Sequence, residues 1–299
     1  MLYRLFRSFF FGNYFYGICA VALSVESTVQ VGASLNSLAY YLVVFAITVV
    51  YYTYAYTDKG TPDINNAREV WYYNNQAIVK VSQVILGLIF VVSLVIFIAE
   101  QRSYLFAIPL YYWLIFFIFP LTALLYYGFQ SPALQKYNLR DTGWMKPFVI
   151  GFVWAGAVSV YPVVFSTLAE GKEYHLSLFK ILLFIKNFMY ITVLCIMFDI
   201  KDYAEDHNRQ LKTFVVRVGL RRTIYSILLP LATIGLGTFL VYAYSQHFSL
   251  QRVVMNTIPF VLMMIVANSL YERKHILYYL AVIDGLMLIK AVCGIIGAL

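Results

Sequence analysis

Charge is scarce in this chain: Asp, Glu, Lys and Arg together make up 12% of its 299 residues, about half the share found in a soluble globular domain. Hydrophobic residues reach 62%, aromatics 18%, and the mean hydropathy is +0.75. That balance excludes a soluble fold and predicts an all-α polytopic membrane protein, partnered by the lipid bilayer. Cysteine is scarcer still. Cys19, Cys195 and Cys293 are odd in number, widely spaced and set inside apolar runs, which excludes a disulfide framework and a zinc site and leaves them as small core residues. Acids are outnumbered, 14 against 22 bases. The net charge of +8 would suit nucleic acid, but its distribution follows membrane topology instead, and nucleic acid is excluded as a partner.

What fills the chain is long apolar runs. A span needs about 20 apolar residues to cross roughly 30 Å of hydrocarbon, and nine runs qualify, near 9–30, 35–56, 77–99, 104–127, 147–167, 178–199, 223–245, 253–271 and 276–297. The first follows Arg4 and Arg7 and has no small-residue cleavage site, so it reads as a retained span, with the mature chain expected to start here. A cytoplasmic N-terminus puts fifteen basic residues on the cytoplasmic side: Arg4, Arg7, Lys59, Arg68, Lys136, Arg140, Lys146, Lys201, Arg209, Lys212, Arg217, Arg221, Arg222, Arg273 and Lys274. Only Arg102, Lys172 and Arg252 fall on the other side. That asymmetry is the positive-inside pattern.

The chain is organised around Phe198–Gly219, FDIKDYAEDHNRQLKTFVVRVG, where an apolar run ends and charge begins. On a helix Asp199, Asp202 and Asp206 share one face, and carboxylates at the C-terminal end of a helix are disfavoured unless a cation neutralises them. Such an edge suits Mg²⁺, a hard ion that takes oxygen ligands and shares its shell with water and phosphate. A solvated, charged juxtamembrane loop is the more common source of such residues. After the second run, Asp58 and Asp63 are five apart, with Gly60 and Pro62 between them, which makes a loop and a poor metal face. Asn65, Asn66 and Arg68 follow and can offer neutral oxygens and a bidentate fork. After the fourth run, Lys136, Arg140 and Lys146 form a basic loop on the same side, suited to a metal–diphosphate ligand or to anionic lipid.

Inside the runs, Lys80 and Lys180 lie near span ends and are expected to snorkel. Lys186, Asp284 and Lys290 lie deeper, and Asp284 with Lys186 is a possible structural ion pair. The 27 Tyr and 24 Phe exceed what interfacial belts need, so an aromatic-walled cavity is one expectation beside ordinary packing.

FDIKDYAED followed by LKTFVVRVG resembles the second Asp-rich motif of the UbiA superfamily of intramembrane prenyltransferases. Asp199, Asp202, Asp206, Lys212, Thr213, Arg217 and Gly219 fall in register, with Gln210 where the family often has Gly. The nine runs and the LRDTGWMKPF stretch extend the resemblance over nearly the whole chain. The first motif of the family departs: with Asp58 at its middle Asp, Tyr54 and Ala55 stand where Asn and Asp belong, and Asp63 misses the last position by one. The resemblance implies one domain over 1–299, a UbiA-like bundle of about nine helices in a bacterial inner membrane, with the Asp-rich loops cytoplasmic. It implies Mg²⁺-dependent transfer of a prenyl group from an allylic polyprenyl diphosphate to a lipophilic, aromatic acceptor. Asp199, Asp202 and Asp206 would hold the metal, with Asp58 and Asp63 as candidates from the other side. Lys212, Arg217, Arg68, Lys146 and Asn65 would contact the diphosphate. A non-catalytic relative that binds polyprenyl or anionic lipid is the alternative, and a transporter a third possibility.

Overall fold

A computed structural model describes residues 2–57, 61–64, 66–105, 109–127, 144–203, 213–272 and 274–299, with the side chains of 2, 103–105, 110, 111, 127 and 202 also outside the description. All regular elements among the described residues are helical. Along the chain they are α1 (Leu2–Phe11), α2 (Tyr14–Val31), α3 (Leu38–Thr57), α4 (Ala67–Asn74), α5 (Gln76–Leu105) and α6 (Leu110–Tyr127). There follow α7 (Lys146–Ala169), α8 (Leu178–Asp199), α9 (Leu220–Ser245), α10 (Leu250–Ser269) and α11 (Ile276–Ala298).

Eight of these, α2, α3, α5 and α7 to α11, are long and apolar enough to cross a membrane. The chain is therefore an all-α integral membrane protein. The expected run at 104–127 is helical over Leu110–Tyr127, 18 residues with Pro120 inside, and is not counted among the eight because the side chains at its two ends lie outside the description. The outer helices show what surrounds them. On α5, Val81, Val84, Leu88, Val91 and Val95 are exposed, a row that water would penalise and lipid does not.

The helix at the centre is α2. It packs on α3, α7, α8 and α11, and a row of its polar side chains, Ser24, Glu26, Ser27 and Thr28, is fully buried. In hydrocarbon these groups must find partners within the bundle. Ser27 and Ser159 of α7 both accept from Nδ2 of Asn187 in α8, at 3.4 and 2.6 Å. Glu26 takes a lysine on each oxygen: Lys290 of α11 at 2.5 Å and Lys186 of α8 at 3.3 Å. The network continues from Lys186 to Asn256 of α10 at 3.2 Å, from Gln30 to Asn256 at 3.0 Å, and from Arg252 to the Gln30 carbonyl at 2.9 Å. Gly294 makes room for it, since a Cβ there would lie 2.5 Å from the Glu26 carboxylate.

This overturns one expectation from the sequence. Lys186 pairs with Glu26 and not with Asp284, because α2 lies between the two lysine-bearing helices and presents its carboxylate to both. Lys180 turns back toward the end of its helix, donating to the His175 carbonyl at 2.8 Å over the Tyr174 ring. All three cysteines are free thiols, and Cys19 is fully buried.

Breaking this clamp has an asymmetric cost. Glu26→Gln strands two ammonium groups in a dry interior and is expected to lower stability by about 3–5 kcal/mol, whereas Lys290→Met leaves Glu26 its second lysine and is milder. Thermal unfolding in detergent checks the order. Equal melting of Glu26→Gln and the unaltered chain would remove the clamp from the account.

Candidate functional site

The Asp-rich stretch begins where α8 ends. Asp199 is the last residue of α8 and is buried, and one 3₁₀ turn, Ile200–Asp202, follows it. Asp199 and Asp202 are therefore joined by a 3₁₀ turn and not by an unbroken α-helix, and Asp206 lies outside the described residues. Lys146 is the first residue of α7, with Pro147 behind it. A carboxylate at a helix C-terminus and an ammonium at a helix N-terminus each sit at the unfavourable pole of their own helix. The two helices pack side by side, and Lys146 Nζ donates to Asp199 Oδ1 at 2.6 Å. Each charge offsets the other's disfavoured position. Close approach of the helices is possible because position 151 is Gly: a Cβ there would lie 2.2 Å from Thr192 Oγ1.

Arg217 lies in the short helix Phe214–Val218, exposed, with its guanidinium 5.9 Å from the ring of Trp144, two residues before Lys146. Phe214 meets Phe148 at 6.0 Å. The segments that follow α8 and precede α7 thus come together, and three of the expected site residues, Asp199, Lys146 and Arg217, share one neighbourhood. Lys201 stands over the Phe198 ring at 5.7 Å on the same turn.

Arg68 is placed inside the bundle. It lies in α4, whose first turn is capped by Asn66, the side-chain oxygen accepting from the N–H groups of Arg68 and Glu69. Its guanidinium is buried, not solvent-facing: it donates to Asn13 Oδ1 and to the Phe11 carbonyl, the latter at 3.3 Å, and stacks 4.5 Å from the Tyr56 ring. Asn13, at φ 65°, forms the elbow between α1 and α2 and also donates to Thr53 and Tyr72, both at 3.0 Å. Burial works against the Arg68 charge, yet Tyr56, Tyr72, Tyr16 and Asp284 together outweigh it and raise its pKa above the ordinary value. Asp63 belongs to the turn before α4, its N–H donating to Glu69 Oε2 at 3.2 Å and its carbonyl accepting from Asn66 N–H at 3.0 Å. Asp58, Asn65, Asp206, Lys212 and the Asp202 side chain lie outside the described residues.

Beneath the Asp199–Lys146 bridge is a layer the sequence did not single out. Tyr16 of α2 stacks on Tyr52 of α3 at 4.7 Å, and Trp154 of α7 donates to the Tyr52 hydroxyl at 2.5 Å. Asp284 of α11 is buried, and its backbone carbonyl lies 3.8 Å from the Cys19 thiol of α2. The only advance signal for this layer was the presence of Asp284 inside a span. An open cleft lined by Tyr56, Glu69, Tyr72 and Lys80 adjoins the Arg68 side, between α3, α4 and α5.

Metal binding needs several converging oxygens. Among the described residues no three Asp, Glu, His or Cys side chains come together, and Asp199 Oδ1 already accepts from Lys146. The described donor set alone does not make a magnesium site. No protein-family model, curated protein or solved structure matches the chain.

If Asp199 and Lys146 hold each other in place, Asp199→Asn and Lys146→Met are non-additive. A double-mutant cycle on thermal stability is expected to show coupling of about 1–3 kcal/mol, the range for a charge-assisted hydrogen bond. Additive losses would mean that the bridge contributes nothing.

Proposed function

We propose that the chain is an intramembrane prenyltransferase-like protein that takes an allylic polyprenyl diphosphate at the Asp199 end of the bundle and transfers its prenyl group to a lipophilic, aromatic acceptor. The observation that carries the reading is the layering of that end. Basic groups, Lys146 and Arg217, gather at the end of α8 around Asp199, and the stacked rings of Tyr16, Tyr52 and Trp154 lie beneath them. The motif residues in register with the UbiA superfamily support it from the sequence.

In this reading Lys146 and Arg217 hold the diphosphate oxygens and stabilise the charge that builds on them as the C–O bond lengthens. The aromatic layer presents ring faces to the carbon chain, where a developing allylic cation is favoured over its aqueous surroundings. The packed helices keep water from intercepting it. Mg²⁺ belongs to the proposal through Asp199 with Asp202 and Asp206. A bacterial inner membrane with the Asp199 end cytoplasmic is likewise part of it, supported by the asymmetry of basic residues.

The second reading, a non-catalytic relative that binds polyprenyl or anionic lipid, is favoured by a specific observation: an ammonium group already occupies Asp199 Oδ1. Binding of a non-hydrolysable allylic diphosphate to the purified chain, with and without Mg²⁺, separates the two. Saturable, Mg²⁺-enhanced binding that Lys146→Met weakens at least about tenfold, the loss of one charge-assisted contact, is expected. Binding indifferent to Mg²⁺ supports the lipid-binding relative, and no saturable binding removes the prenyl-diphosphate reading.

A further inference from the structure

The cleft beside α4 is built by a repeat in the sequence. Glu69, Tyr72, Tyr73, Gln76 and Lys80 recur every three or four residues, the spacing that keeps side chains on one helical face, and only Asn75 separates α4 from α5. From the other side α3 packs along α5 and touches α4, and its last turn supplies Tyr56 and Thr57 to the wall. Pro62 completes it. The space enclosed, open mouth included, is about 440 Å³.

Side-chain charge of both signs lines this one cleft. The Glu69 carboxylate is fixed in place, accepting from the Asp63 N–H at 3.2 Å and from the Asn66 amide at 3.3 Å. The Lys80 ammonium and the Gln76 amide have no ion-pair or hydrogen-bond partner among the described residues. Both are donors open to a ligand. The length of α5 sets their depth: it has 30 residues, about 45 Å at 1.5 Å per residue against roughly 30 Å of hydrocarbon, so a centred helix leaves about five residues at each end among the headgroups. Gln76 and Lys80 fall within the first five. Toward the bilayer centre, Val84, Leu88, Val91 and Val95 continue the face of Lys80 at helical spacing, and all four are exposed. A polar cleft therefore stands at the head of an apolar track.

We propose that this cleft seats the headgroup of a zwitterionic phospholipid that carries a primary ammonium, with one acyl chain lying along Val84, Leu88, Val91 and Val95. Lys80 and Gln76 donate to the phosphate oxygens, and Glu69 accepts from the lipid ammonium. Tyr73 lines the same space and offers a ring to that cation. An anionic headgroup lacking the ammonium satisfies Lys80 but leaves its net negative charge beside the Glu69 carboxylate, so the cleft discriminates against it. The inference goes beyond the proposed function and does not depend on it.

The test is native mass spectrometry of the full, delipidated chain offered equimolar phosphatidylethanolamine and phosphatidylglycerol with identical acyl chains. The unaltered chain is expected to retain phosphatidylethanolamine about fivefold more, the factor that one exposed charge pair supplies. Lys80→Gln is expected to lower the retention of both lipids, and Glu69→Gln to remove the preference while leaving phosphatidylglycerol retention as it was. Equal retention of the two lipids by the unaltered chain overturns the inference. So does phosphatidylethanolamine retention that Lys80→Gln does not change, or a preference that survives Glu69→Gln. If Glu69→Gln does not fold, Lys80→Gln, at an exposed position, decides alone.

Discussion

A carboxylate that enters hydrocarbon cannot be solvated there, and everything around Glu26 follows from that. It is fully buried, and the bilayer offers it no water, so the bundle must bring cations to it. Lys186 arrives from α8 and Lys290 from α11, which requires that α2 lie between those two helices. Once α2 is held centrally at that level, its other end is held too. Asn13, Tyr16 and Cys19 then face α3, α4 and α11, and they assemble the surroundings of Arg68 and Asp284.

At the Asp199 end the governing physics is that of helix termini. Asp199 closes α8 and Lys146 opens α7, each at the wrong pole of its helix, and side-by-side packing lets each correct the other. The same contact keeps a carboxylate and an ammonium at the rim of an aromatic layer. Charge at the rim with rings beneath is the arrangement that an ionic headgroup on an apolar tail would need. It gives the proposed prenyl-diphosphate reading its physical content, independent of any family.

Much of the fold was legible in the sequence because hydropathy and helix length are local properties. Eight of the expected runs appear as helices of spanning length, and 104–127 contains the helix Leu110–Tyr127. Ion pairing was not legible. Glu26 lies close to the end of its run, in SVESTVQV, where a glutamate reads as the polar end of a span. The structure carries α2 on to Val31 and buries Glu26 completely. Asp284 was visible as a charge out of place, but its burial comes from packing against helices far away in the chain, α2 among them. Tyr16, Tyr52 and Trp154 had no way to stand out among so many aromatic residues.

Composition and periodicity by themselves determined that this chain is an all-helical membrane protein, and the Asp-rich stretch marked the end of α8 where function is sought. Both are decided over a few turns of helix, by the need of each backbone to satisfy itself in lipid. Only the tertiary structure decided which carboxylate meets which cation, that Arg68 turns inward, and that Asp284 is buried in the bundle. Those outcomes depend on which helices lie side by side, a choice made by the packing of residues hundreds of positions apart and invisible to any local pattern.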